Sequence, residues 1–240
     1  MLQAMIEAAP IPICVREAYV GDCEILMTYG TGHAIRRPWW LKHLAKAGRC
    51  VGWDLGYWRH EEGTMRMTLD ADHPQRWIRE EPASRWDAWG IELREDSAPD
   101  GPAVIVGLGQ KALAVHRLAP LQWEQAAAAR IAKKGRKLVF RPKRVADPRL
   151  RRVPLAIGPI EDVLRGASLV VCRHSNVAID ACIAGIPVIC EDGAALALYR
   201  DGPEPTRDQR LQFLRGLAWW QWKPTEARDA WTYLLQRLSA

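Results

Sequence analysis

Three successive residues of this 240-residue chain, His174, Ser175 and Asn176, are of types suited to holding an anion, and an acid, Asp180, follows one helical turn later. They lie in residues 167–191, ASLVVCRHSNVAIDACIAGIPVICE. Leu169 to Cys172 and Val188 to Cys190 are short apolar runs rich in β-branched residues, the mark of strands buried on both faces. Between them the pattern predicts a helix from Val177 to Ala184, capped by Ser175 or Asn176. Gly185 supplies its left-handed exit and Pro187 forbids continuation. A helix starting at the carboxyl edge of a parallel sheet offers free backbone N–H groups and a positive end, which is a place for a phosphate. The same two residues also suffice as a plain structural cap.

A second centre is His33, in GTGHAIRRPWWLKHLAKAG, residues 30–48. A neutral imidazole near its own pKa can take a proton from a hydroxyl at physiological pH. A carboxylate at the other ring nitrogen would fix the tautomer. Asp54 and Asp70, each at a predicted strand end, are candidates for that role or for the base acting alone. A third centre is the loop Gly107-Leu-Gly109-Gln-Lys111-Ala112, which satisfies G-x-G-x-x-[GA] and raises the possibility of dinucleotide binding. Against that, Pro120 separates the loop from a helix expected to start near Leu121. Arg141 and Lys143 also stand where an acid would take a ribose.

These residues need α/β elements to position them. Strands are expected at Glu24–Thr28, Arg49–Trp53, Met65–Leu69, Ala103–Val106 and Leu138–Phe140, with helices near Pro38–Ala47 and Leu121–Lys134. Residues 72–100, rich in Trp, Pro and charge, read as loop with short helical turns. Strand–helix alternation argues for parallel sheets. Twelve tryptophans are present. Trp39, Trp40, Trp53 and Trp58 gather around the His33 motif, where core packing competes with lining a binding pocket. Trp219 and Trp222 are spaced to share a helical face.

The 174–180 motif resembles the donor-binding signature of GT-B glycosyltransferases. The segment RLQFLRGLAWWQWKPTEARDAWTYLL, from Arg210 to Leu235, resembles the tail of bacterial capsule-polysaccharide transferases of the Kdo-transferase type and of related phage-encoded proteins. The resemblance implies a GT-B-like α/β fold with two Rossmann-like parallel-sheet domains, a central cleft and C-terminal helices crossing back. Residues 1–98 would form the acceptor-side domain, 99–205 the nucleotide-sugar domain, and 206–240 helices across the interface. It implies a UDP-, GDP- or CMP-sugar as donor substrate and no tightly bound cofactor or metal. His174, Ser175, Asn176, Gly107, Gly109, Lys111, Arg141 and Lys143 would serve the phosphates and Asp180 the ribose. Ala112 departs from a hydroxyl residue common after that lysine. His33 resembles the base of one large group of these enzymes, although its spacing to Pro38 is longer here.

Composition sets the remaining bounds. The chain is 48% hydrophobic and 26% charged, as expected of a globular protein. No apolar run approaches membrane-spanning length and no basic leader precedes the first apolar residues, so a cytoplasmic protein is expected. The six cysteines show no CxxC pair or zinc spacing. The net charge of +6 arises locally: residues 130–152 hold eleven Lys or Arg against Asp147 alone. Such a run is a solvated face, a neutraliser of donor phosphates, or a seat for a polyanionic acceptor such as DNA. The acceptor is therefore left open between a hydroxymethylated DNA base and a glycan. The other class of function is a non-catalytic nucleotide- or nucleic-acid-binding module on the same scaffold; an NADP-dependent oxidoreductase ranks behind it.

Overall fold

The computed structural model describes residues 1–33 and 35–239. In chain order its first elements are α1 Leu2–Glu7, β1 Ile25–Tyr29, α2 Arg36–Leu44, β2 Arg49–Leu55, β3 Met65–Leu69 and α3 Ser84–Ala88. There follow β4 Ala103–Val106, α4 Gln110–His116, α5 Gln122–Ala132, β5 Leu138–Arg141, α6 Ile160–Leu164, β6 Leu169–Cys172, α7 Val177–Ala184 and β7 Val188–Cys190. The chain closes with α8 Leu196–Tyr199, α9 Arg207–Ala218, β8 Gln221–Trp222 and α10 Ala227–Leu238. Two compact units result: residues 1–85 with 215–240, and residues 86–214.

The first unit is built on a sheet of order β1-β2-β3-β8. β1 and β2 are parallel, from Ile25↔Arg49 to Tyr29↔Trp53, with α2 as their crossover. β3 runs antiparallel to β2, which departs from strand–helix alternation. Only residues 56–64, with a 3₁₀ turn at His60–Glu62, separate the two strands, and a parallel return needs a dozen residues or more. β8 adds to β3 in antiparallel register, Met65↔Trp222. Val51, Trp53, Met67 and Leu69 pack with Trp220, Trp222, Trp231 and Leu234 from the end of the chain and with Met5. Trp231 donates its indole N–H to the Met5 carbonyl at 2.7 Å.

The expected shared helical face of Trp219 and Trp222 does not form, because α9 stops at Ala218 and Trp222 lies in β8. Their rings meet edge-on at 6.3 Å instead. Arg85 fastens this return segment: it donates to the Gln221 carbonyl at 2.7 Å, pairs with Glu226 at 3.2 Å and covers the Trp222 ring at 3.7 Å. Trp40, Trp53 and Trp58 are buried, so they pack into the unit's interior.

The second unit is a parallel sheet of order β5-β4-β6-β7. β4 pairs with β5 from Ala103↔Leu138 to Val106↔Arg141 and with β6 from Ala103↔Leu169. All four residues of β4 and of β6 are buried, as expected of strands covered on both faces. Residues 94–98 belong here, since Arg94 and Asp96 donate backbone N–H groups to Ile183 and Ala184 and Ala98 to Ala167. The unit therefore begins ahead of the expected start at residue 99. Arg210, 4% exposed, ties the first turn of α9 to it through the Cys182 carbonyl at 2.9 Å and an ion pair with Glu95.

Candidate functional site

In the second unit the expected residues gather where β4, β5 and β6 end. β6 leads through Arg173, His174, Ser175 and Asn176 into α7, whose observed span, Val177–Ala184, is the one the sequence predicts. Ser175 Oγ accepts the Val177 N–H at 3.2 Å and the Asn176 carbonyl accepts Ile179 N–H at 2.8 Å. Gly185 ends the helix at φ +76°. The loop after β7 passes close by: a Cβ on Gly193 would stand 3.1 Å from the His174 backbone.

The Gly107 loop differs from expectation in one respect. A helix, α4, opens directly from it, with Gly109 at the N-cap and Pro120 well beyond its end. Alanine, leucine, lysine and glutamine are good helix formers, so the run after Gly109 is helical despite the Pro120 that follows. The dinucleotide reading thus loses one objection, while the bases at Arg141 and Lys143 remain. Gly107 is held against the next strand, its N–H on the Arg141 carbonyl at 2.8 Å and its Cα face 3.1 Å, as a Cβ, from Phe140. Glu124, buried on α5, accepts the Leu108 N–H at 2.7 Å and fixes the turn. The Lys143 stem lies 3.5 Å from where a Cβ of Gly109 would be, so β5 and β4 present their loops side by side. Lys111 is exposed on the first turn of α4, and Ala112 is buried beneath it.

Asp180 is the electrostatic centre. Burial first, then the neighbouring Glu161 carboxylate, push its carboxyl up to about 7, while Arg141, Arg94 and Lys143 pull the other way. α6 packs on α7 and brings Glu161 to this place, and Arg141 reaches the Gly158 carbonyl at 2.9 Å. Glu161, Arg94, His116 and Arg173 were not legible in the sequence. The His116 and His174 rings lie 5.6 Å apart, and Arg173 joins His116 at 3.4 Å to Glu191 at 2.9 Å. His116 sits on the unexpected helix, and no local pattern marks any of the four. A cavity of about 670 Å³ also opens in this unit, lined by Glu95, Arg136, Tyr199 and Arg207 and by the helix exit at Gly185 and Pro187, and it includes none of the candidate catalytic or donor-binding residues.

In the first unit His33 and Asp54 share the carboxyl edge of the β1–β2 pair, where Gly30 N–H meets the Trp53 carbonyl at 2.7 Å. His33 Nδ1 accepts the Ile35 N–H at 3.3 Å, which places the neutral ring's own proton on Nε2. Asp54 accepts from Leu55 N–H at 2.8 Å and pairs with Arg66 at 3.2 Å. Asp70 is at the opposite edge, a correction that follows from the antiparallel β3. Its carboxylate takes Cys50 N–H at 2.7 Å and Arg49 at 2.8 Å, so it fastens the start of β2 and does not meet His33.

No protein-family model matches the chain, and no curated protein sequence does. Solved structures do. Thermosulfurimonas dismutans KpsC in its beta Kdo 2,4 transferase part aligns with a TM-score of 0.51 at 13% identity, over 87% of this chain and 86% of that one. The beta Kdo 2,7 transferase part aligns at 0.52 and 13%, over 88% and 85%. No helix among the described residues is long and apolar enough to cross a membrane. At such low identity the likeness is one of architecture: the chain has a GT-B glycosyltransferase-like fold with two Rossmann-like α/β domains.

Proposed function

We propose that the chain transfers a sugar from a nucleotide-sugar donor to a hydroxyl acceptor. The donor's phosphate or diphosphate lies at the positive start of α7, where it takes the Val177 N–H from Ser175 Oγ and meets the His174 and Asn176 side chains. Lys111, Arg141, Lys143 and the Gly107–Gly109 turn offset the charge that grows on the leaving phosphate. Asp180 accepts hydrogen bonds from the ribose hydroxyls. His33 or Asp54 takes the acceptor's proton. His33 can do so only after its ring releases the Ile35 N–H or turns to present a bare nitrogen. UDP-, GDP- and CMP-sugars remain the candidate donors, and a glycan or a hydroxymethylated DNA base the candidate acceptors.

The observation that supports this reading is the convergence, at one edge of a parallel sheet, of a helix start, Arg141, Lys143 and the half-buried Asp180. A thermal-shift panel of nucleotides and nucleotide sugars tests it. One nucleotide at a hundred times its Kd should raise the melting temperature by roughly 5–10 °C. His174→Ala and Asp180→Ala should abolish that rise. No response to any nucleotide, or a response indifferent to both substitutions, would sink the proposal.

A further inference from the structure

The connection from β5 to α6, residues 142–159, is pinned at three places. Phe140 donates to the Pro154 carbonyl and accepts from Ala156 N–H, both at 2.8 Å, so residues 154–156 run beside β5 in parallel register. Arg141 holds the Gly158 carbonyl at 2.9 Å. Leu150, 6% exposed, anchors the middle of the loop. What these anchors leave outside is unusual in composition. Val145 and Ile157 are each 61% exposed, and continuing the β5 register puts Ile157 beside Pro142, close to the turn that carries Val145. Around them Lys143, Arg144, Arg149, Arg151 and Arg152 are exposed. The loop's one acid, Asp147, is turned onto the Arg144 backbone N–H at 2.9 Å. Among the described residues, the whole basic segment forms a single ion pair, Arg130 with Glu191.

We propose that this loop is a docking surface for an anionic lipid bilayer. Five unpaired cations supply attraction to a negative leaflet, and two branched apolar side chains at the tip gain by leaving water for the headgroup boundary. A nucleic-acid groove would reward the cations alone. The loop has no aromatic side chain to stack on a base and no helix or strand to enter a groove. Lys143 alone is shared with the proposed donor site; Arg144, Arg149, Arg151, Arg152, Val145 and Ile157 lie outside those contacts, and the claim stands independently of the donor assignment.

The test is flotation of the full chain with vesicles of phosphatidylcholine alone or with about a third phosphatidylglycerol, at low and high salt. Binding should need the anionic lipid and should fall with salt. Replacing Arg149, Arg151 and Arg152 by Gln should lower partitioning about a hundredfold, at about fivefold per charge. Val145→Ser with Ile157→Ser should lower it several-fold at unchanged charge, and millimolar glycerol phosphate should not compete. All five positions are exposed, so the variants should melt with the parent and keep its nucleotide response. The proposal is overturned by absence of vesicle binding, by binding indifferent to the Val145 and Ile157 changes, by competition from the free phosphate, or by tighter binding to duplex DNA than to the vesicles.

Discussion

At Asp180 the stability of the fold and the proposed nucleotide contact pull in opposite directions. Its native carboxyl titrates at about 7, against 3.8 for an ordinary aspartate. Between those values the native state holds a proton that the unfolded chain has lost, so stability falls as pH rises from about 4 to 7 and stays low above. Asp180→Asn removes the titration. It should stabilise the protein at pH 8 by about 2 kcal/mol, after allowance for partial solvent access, and do little at pH 4. Nucleotide affinity should move the other way, rising with pH through 7 in the parent because an ionised carboxylate accepts both ribose hydroxyls, and staying weak and flat in the variant. Equal melting temperatures for parent and variant at pH 8 would refute the burial argument. The thiols give an independent check on packing. Burial pushes Cys50, Cys172, Cys182 and Cys190 up to about 12, whereas Cys14 and Cys23 are exposed. A maleimide should label two cysteines in the native protein and six in denaturant.

At the level of elements, the exit of α7 is the most constrained joint. Gly185 combines φ +76° with close approach: a Cβ there would stand 2.5 Å from the Arg94 carbonyl, which also accepts from Arg210. Gly185→Ala should cost about 2–4 kcal/mol, read as a loss in urea midpoint, since both the dihedral and the backbone contact must give. The end of α4 offers the opposite case. Arg117 is exposed at φ +52° in the C-cap position that glycine favours. Arg117→Gly should stabilise by about 0.5–1 kcal/mol, provided no contact of that side chain is lost. α7 was readable because cap, apolar run, glycine and proline fall in order within a dozen residues. α4 was not, because seven residues without a side-chain cap hold their shape through the loop anchored by Glu124, sixteen positions from Leu108 in the sequence.

On the scale of the molecule, the two units differ in how much chain each needs. The second is nearly continuous, with its sheet and its core drawn from residues 86–214. A fragment of residues 86–218 should unfold cooperatively in isolation, and any nucleotide the parent binds should still shift its melting. The first unit takes β8, α10 and the buried Trp220, Trp222 and Trp231 from the far end of the chain. Residues 1–85 alone should therefore be insoluble or unfolded by circular dichroism, because Trp53, Met67 and Leu69 lose the side chains that cover them.

Local order was within reach of the amino-acid sequence: the strands β3, β4 and β6, the span of α7, and the grouping of His174, Ser175, Asn176 and Asp180 follow from periodicity and capping between near neighbours. The direction of β3 was not, and with it went the placement of Asp70, because one reversed strand carries its end to the other edge of a sheet. Nor could local pattern show that Glu161, Arg94 and His116 come to the α7 site. Those positions are fixed by helices packing across long sequence separations, and that energy belongs to the assembled interior and to no short stretch of chain.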